Sequence, residues 1–462
     1  MSASESGTRT LASAQGTRAS GPGFTEGDMS RHVLRLSGFM IMGFLAMTLA
    51  QLVEAFYLGR VGADELAAIA FAFPLVMAFN ALTRGIGVGT GAVLARTIGA
   101  GDREQAARLT SHGLFLTLLF TTVCAVLLAW QGRVLFELLG ARGHILELAT
   151  LYMSIWCIGF PGFGLSMVGS GLMRSIGDPA FPGYVMAAGS IIQVTVAPPL
   201  IFGWLGLPAL GIAGAAWAFV IARTCSFLLT AWWFLVKERM VRFDRRGLVG
   251  STRAILHVGV PAAATNLIQP LSAAVTTRIL AGLGVSVVAG FGVAGRIDAV
   301  VTMVVIGISA SAAPLVGQNW GARRYARVLE ALALGYRYCL IWGVIAAALM
   351  WLGAPTFVSL ITDDAEVMGA AVAYLYIVPV SVGFMGMVNV ANASFNALSK
   401  PVPPLVLSVA RLVVVYVPLA IAAGHFFGFW GVYVVTAVVN VVFGLLGRRW
   451  NAVTIRRMMP AT

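Results

Sequence analysis

The sequence predicts an all-α integral membrane protein of twelve transmembrane helices, arranged as two pseudo-symmetric six-helix lobes. Three observations carry that expectation. Hydrophobic residues make up 59% of the 462-residue chain and charged residues 11%, whereas a soluble domain carries roughly 25% charged residues. Apolar stretches long enough to cross about 30 Å of hydrocarbon, roughly 20 residues each, recur along the whole length with short polar interruptions. A shift of 222 residues places Gly62 on Gly284, Gly85 on Gly307, Gly99 on Gly321, Gly113 on Gly335, Tyr152 on Tyr374, Pro179 on Pro401 and Pro182 on Pro404. Identity elsewhere along that register is sparse, so the weight rests on turn and hinge residues recurring in order, as an internal repeat requires.

Residues 1–30, rich in Ser, Gly and Thr and without an apolar core, read as a disordered cytoplasmic tail rather than a cleaved signal peptide. The first lobe, 31–236, takes helices near 34–58, 66–94, 109–131, 146–171, 183–205 and 210–236. The second, 254–447, takes them near 255–281, 286–316, 328–352, 368–395, 405–424 and 428–447. A transmembrane barrel would instead show segments of roughly ten alternating residues. Between the lobes lies the basic segment "KERMVRFDRRGLVGSTR", residues 237–253, and a basic tail follows at 448–462. Six helices per half is an even number, so both halves insert in the same orientation and their symmetry axis runs along the membrane normal, the parallel-repeat transporter plan. Pro74, Pro161, Pro261, Pro270, Pro314 and Pro379 fall inside helical segments, where each removes a backbone donor and favours a kink. Pro270, beside Gln269 and near Asn266, makes the seventh helix the best candidate for a polar break, with a static kink that only shapes packing as the other reading.

The net charge of +13 is distributed by topology, which argues against nucleic acid as its partner. With a cytoplasmic N-terminus, the inside segments hold the linker's basic run together with Arg323, Arg324, Arg327, Arg448, Arg449, Arg456 and Arg457, while the outside loops carry Arg60, Arg133 and Arg142. That bias follows the positive-inside rule and puts both termini on the cytoplasmic side of the inner membrane. Cys124, Cys157, Cys225 and Cys339 all sit inside expected helices without paired spacing, as small apolar packers do. No HExxH or G-x-S-x-G string occurs, and the histidines lack metal-ligand spacing. An intramembrane enzyme and a metal site are therefore not expected.

The loop "LARTIGAGDREQAAR" after the second helix and its partner "LVGQNWGARRYARV" after the eighth resemble the MATE (multidrug and toxic compound extrusion) family. So do "YLGRVGADELAAIA", "GIGVGTGAVLART", "GLMRSIGDPAFP" and "NASFNALSKPVPP", over about residues 31–447, with the DinF-like branch of this MOP-superfamily group most similar. The resemblance implies two six-helix lobes around a cavity that opens alternately to each side, and efflux of organic, multidrug-type solutes against proton or sodium entry. It implies no cofactor beyond the coupling ion. The chain is expected to act as a monomer in the bilayer. Two alternatives share the plan: a flippase for a lipid-linked saccharide, and an exporter of an acidic or zwitterionic metabolite.

Ionisable residues at membrane depth are expensive and serve as functional candidates. Glu54 sits in "AQLVEAFYLGRVG", where the resemblance places the family's first-helix acid, usually Asp. A carboxylate in a poorly hydrated cavity can hold a proton and release it when the cavity opens, as coupling needs; the other reading is an interfacial Glu snorkelling beside Arg60. Asp298, in the eighth helix, is either a second coupling group or half of a buried structural pair, and Arg296, two residues earlier, points elsewhere because such residues do not share a helix face. Arg278 lies near the level of Glu54 in the opposite lobe, free to meet it across the cavity or to snorkel outward. Arg84 and Arg223 lie nearer mid-membrane, and an Arg that keeps its charge needs carbonyls, water or an anionic solute there. In the NorM-like branch the second lobe carries acids on the seventh and tenth helices; those positions fall here on Gln269 and Met385. Coupling is thereby left to Glu54, with Asn266, Gln269 and Asn389 as polar cavity candidates.

Overall fold

The structure, a computed structural model, describes residues 23–242, 244 and 246–460. Its membrane helices are α1 (Met29–Val61), α2 (Ala63–Gly99), α3 (Arg103–Leu138), α4 (Gly143–Ile176), α5 (Phe181–Phe202), α6 (Ile212–Lys237), α7 (Leu248–Ala281), α8 (Val285–Gly321), α9 (Tyr325–Ser359) and α10 (Ala365–Ala397). A last helical run, Val402–Met458, is 57 residues long. At 1.5 Å per residue it would reach about 85 Å, nearly three times a hydrocarbon core. It folds back at Gly428, whose φ of 61° and ψ of −150° interrupt the helix. There a side chain is strained, and beyond the turn a Cβ on Gly431 would fall 2.5 Å from the Ala423 carbonyl oxygen. The run is therefore an antiparallel pair, α11 (402–427) and α12 (429–458), and the expected twelve helices are all present.

Most helices extend beyond the expected spans, typically by about a turn, because apolarity marks only the hydrocarbon layer while caps act in the polar layer. Asp28, Asp102 and Asp364 accept backbone N–H bonds at the starts of α1, α3 and α10, each replacing a partner that a helix N-terminus lacks. α12 runs eleven residues past the expected lobe end at 447, taking most of the basic tail into the helix. Between α4 and α5, Asp178 accepts from the Ala180 and Phe181 amides and from the Lys237 ammonium at 3.1 Å. Burial alone works to raise this carboxyl's pKa; the Phe181 amide and the Lys237 charge outweigh it and hold the pKa below the usual carboxylate value.

Two differences from the sequence reading concern where order and breaks occur. Residues 1–22 of the expected tail lie outside the described residues, but ordered chain begins before 31: Phe24 is buried against Val33, Leu36 and Leu315, and its amide donates to Gln318 Oε1 at 2.9 Å. The seventh helix is continuous through Pro261 and Pro270, since one missing donor bends a helix without ending it when both flanks stay helical. Irregular turns fall instead at Val378–Ser381 in α10, which holds Pro379, and at Ala410–Tyr416 in α11.

Each lobe has its own apolar core. In the first, Leu58, Ala72, Phe136, Trp156, Phe160 and Phe219 form one cluster, with Leu94, Leu172, Trp233 and Phe234 in a second. The other lobe buries Val305, Cys339, Met387, Phe395 and Tyr433 together. The 222-residue repeat is spatial as well as sequential. A Cβ on Gly99 would strike the Gln318 carbonyl, and one on Gly321 would strike the Arg96 carbonyl; these contacts are mates under the shift. Gly85 meets Gly259 and Ala263 of α7, and Gly307 meets Ser37 and Ile41 of α1, again as mates. Reciprocity of this kind is what a two-fold interface produces, and its axis passes between α2 and α8.

All these close approaches lie in the half nearer the N-terminus, where the glycines let the lobes seal. Along the same helix faces the other half is accessible. On α8, Arg296 and Val300, eleven and seven residues before Gly307, are exposed; on α7, Pro270 is exposed eleven residues beyond Gly259; on α1, Leu52 is exposed eleven residues beyond Ile41. A step of seven or eleven returns to the same helix face. The lobes therefore form a cleft closed on the N-terminal face and open on the opposite one.

Candidate functional site

The chemistry-bearing groups fall into three places. Inside the first lobe, Glu54 sits on the α1 stripe that passes through Gly43, and Gly43 lies against Met186 of α5, so the carboxylate is aimed at α5 and away from the lobe interface. Gln193 of α5 donates from Nε2 to Glu54 Oε2 at 2.7 Å. Arg223 of α6 donates from Nη2 to Gln193 Oε1 at 2.7 Å. One amide thus bridges a carboxylate and a guanidinium. The guanidinium also lies over the rings of Phe163 and Phe219, 5.3 and 5.2 Å from their centroids, where a cation is attracted to the π face. Gln193 and Arg223 are 5% and 9% exposed. Glu54 Oε1 and Arg223 Nε are buried with no hydrogen-bond partner among the described residues. A buried carboxylate and a buried guanidinium linked this way stabilise each other's charge, and the orphaned Oε1 leaves room for a proton.

In the second lobe, Asp298 of α8 turns inward. Its Oδ2 accepts from Thr302 at 3.2 Å, its Oδ1 is buried without a partner among the described residues, and Tyr374 of α10 is buried in the same lobe. Tyr374 is held by edge contacts with Phe291 and Tyr433. Its repeat mate, Tyr152, is likewise buried in the core of the first lobe. Arg296 stands on the other side of α8, exposed, on the face that meets α1 lower down.

Arg278 is exposed at the open end of α7, and among the described residues it makes no ion pair; the cation that reaches Glu54 is Arg223, through Gln193. Arg60 lies over the Phe56 ring at 4.6 Å rather than beside Glu54. Asn266, Gln269 and Asn389 are all at least partly accessible, and Asn266 continues the α7 face on which Ile255, Gly259 and Ala263 meet α2. Arg84 is exposed, well inside α2. Gln193, Tyr152, Thr302 and Tyr374 were not singled out as site residues by sequence reasoning. A lone amide within the apolar run of α5 was the available signal for Gln193, and recurrence under the 222 shift was the one for the tyrosines. Among the described residues no group of three or more His, Cys, Asp or Glu side chains could hold a metal ion.

The MatE family model matches residues 40–198 and 261–422, two blocks that begin 221 residues apart, close to the repeat. The FAD transporter of Shewanella oneidensis is 31% identical over 426 residues, covering 92% of this chain and 94% of that one. The probable multidrug resistance protein YoeA of Bacillus subtilis is 24% identical over 91% of this chain and 94% of its own. Among solved structures, the Vibrio cholerae MATE transporter VcmN superposes with a TM-score of 0.89 at 25% identity, covering 93% of this chain and 97% of that one.

Proposed function

The chain belongs to the MATE family of membrane transporters, and from that premise we propose that it is a proton-coupled exporter of organic anions working by alternating access. Membership makes it a multi-pass transporter of small molecules rather than an enzyme; the coupling ion and the solute are the parts proposed.

The observation that carries the coupling is the Glu54–Gln193–Arg223 bridge. With Glu54 ionised, its charge is shared through the amide with Arg223. When a proton enters at the free Oε1, the guanidinium loses its counter-charge inside a poorly polar lobe, which is costly unless another anion replaces it. Proton entry and the charge balance inside the first lobe are linked by that exchange. Asp298 has a comparable setting and serves as a second titrating group.

The solute is read as anionic because Arg84, Arg278 and Arg296 all carry accessible side chains without acidic partners among the described residues, while the first-lobe acid is already matched by Arg223. The Shewanella relative's name, FAD transporter, supports that polarity; the name of the Bacillus relative supports the multidrug reading. By the positive-inside bias, the closed face and both termini are cytoplasmic and the cleft opens outward. The bridge and the cleft both lie within one chain, in keeping with a monomer.

The test is solute efflux from proteoliposomes under an imposed pH gradient. Wild type exports solute as protons enter. Glu54→Gln, which keeps the side chain's shape but cannot ionise, abolishes the coupled exchange while leaving the folded state intact. Unchanged proton-driven export in that variant would overturn the role of Glu54, and export that follows a sodium gradient instead would overturn proton coupling.

A further inference from the structure

Within the reading of an organic-anion exporter, we propose that Arg84 is the residue that receives the anionic group of the solute, at the floor of the central cleft beside the pseudo-two-fold axis. Arg84 projects from the middle of α2. This helix packs against α3, α4, α7 and α8, so it is enclosed by protein on its sides and a side chain exposed from its middle opens into an internal space, not toward lipid. Arg84 is such a side chain: it lies well inside α2 (Ala63–Gly99) and is exposed.

Its direction follows from its stripe. Seven residues further along α2, Gly91 faces the Ser175 hydroxyl of α4, and eleven residues further, Ala95 lies against Gly317 of α8. Arg84 therefore points between α4 and α8. At the level of Ala95 this space is filled, and at the level of Arg84 it is accessible, which puts Arg84 where the seal ends and the cleft begins. It lies about 32 Å along the helix from the open end and about 22 Å from the closed one, at 1.5 Å per residue. A solute reaching the end of the cleft meets this group.

The guanidinium stays charged under all ordinary conditions, and among the described residues it makes no hydrogen bond or ion pair. A charge at this depth is expensive without a partner, so the site is built to be completed by a hydrated anion. Asn80, one turn toward the open end on nearly the same face, has its side-chain oxygen buried without a partner; its amide group supplies the second polar contact. Across the axis the repeat mate of Arg84 is Ile306. The floor is cationic on one side and apolar on the other, which suits a phosphate or carboxylate attached to an aromatic or apolar body.

The probes are flavin mononucleotide and riboflavin, which share a ring system and differ by one phosphate. Binding to purified full-length protein is read from flavin fluorescence in neutral phosphatidylcholine liposomes. Wild type is expected to prefer the phosphorylated probe, and Arg84→Gln to weaken that probe about tenfold to a hundredfold, the range of one charge-assisted hydrogen bond, with riboflavin little changed. Arg84→Lys keeps part of the preference. Should Arg84→Gln fail to fold, Ile306→Lys takes its place: a second cation across the axis raises the preference for the phosphate. A wild type without phosphate preference, an Arg84→Gln protein that keeps it, or an Ile306→Lys protein that leaves it unmoved overturns the assignment. Displacement of the flavin phosphate by added phosphatidylglycerol at the same residue also overturns it, since the occupant is then a lipid headgroup. Failure of proton coupling in the Glu54→Gln experiment leaves this binding result unaffected, so the two readings fail separately.

Discussion

Replacing Gln193 by Leu isolates the bridge between Glu54 and Arg223 without opening a cavity, because the two side chains have similar volumes. The change removes two hydrogen bonds of 2.7 Å, each to a charged group, and leaves a carboxylate and a guanidinium buried without that partner. Hydrogen bonds to charged groups contribute about 1.5–3 kcal/mol each, so the variant is expected to lose about 3–6 kcal/mol of stability. The assay is unfolding in mixed detergent micelles, followed by the fluorescence of the chain's 11 tryptophans. A double-mutant cycle with Arg223→Met separates the bridge from general disruption. Once Gln193 is gone, removing Arg223 costs less, and the cycle returns a coupling of about 1–3 kcal/mol, as for residues in one network. A cost below about 1 kcal/mol for Gln193→Leu, or additivity within about 0.5 kcal/mol, would refute the claim that the amide joins the two charges.

Three further outcomes follow from the fold. Gly428→Ala introduces a side chain at φ 61° and ψ −150°, a region essentially restricted to glycine, and is expected to cost about 1–3 kcal/mol in the same unfolding assay; a neutral result would count against the hairpin between α11 and α12. Gly99→Leu and Gly321→Leu each place bulk against a carbonyl of the other lobe, so both prevent the seal and increase thiol labelling of a cysteine introduced at Ser175 on the closed face; unchanged labelling would show that the lobes do not meet there. Asp178→Ala removes the bonds from the Ala180 and Phe181 amides and from Lys237 at the start of α5 and costs about 1 kcal/mol at neutral pH. Because the folded state holds this carboxyl below its unfolded pKa, the charge-dependent part of that stability is present above about pH 4 and is lost as the pH falls through the folded value. A gap between wild type and variant that widens on acidification would contradict the sign.

Much of the scaffold was legible in the chain because membrane insertion leaves a strong local record. Twelve apolar runs mark twelve helices, and glycines at 85, 99, 307 and 321 recur because each lobe must approach the other at the same two levels. Helix ends were misjudged by about a turn, since the caps act outside the apolar layer. Of the two readings at Pro270, a break or a kink within a continuous helix, the structure keeps the helix unbroken, because a proline's effect depends on whether flanking turns remain packed, and α7 is held along its first half by close approach to α2.

The site was legible only in part. The sequence nominated Glu54 and Arg223 as separate charges in a hydrophobic chain, and it paired Glu54 in prospect with Arg278. Gln193, 139 residues from Glu54 and 30 from Arg223, joins them in space, and no local pattern announces an amide that bridges three helices.

By itself the sequence determined that the chain crosses a membrane, how many times, and that it does so as a duplicated unit, because each of these depends on composition and spacing along one dimension. Tertiary structure decided which face of each helix looks into a lobe, which looks across the cleft, and which buried charges share a partner. Those depend on rotation about the helix axes, and rotation is set by close contacts such as Gly85 against Gly259 and Gly99 against Gln318. The repeat fixed a symmetric frame and matched Arg84 with Ile306; packing set Glu54 beside Gln193, so that a symmetric scaffold carries an asymmetric set of charges.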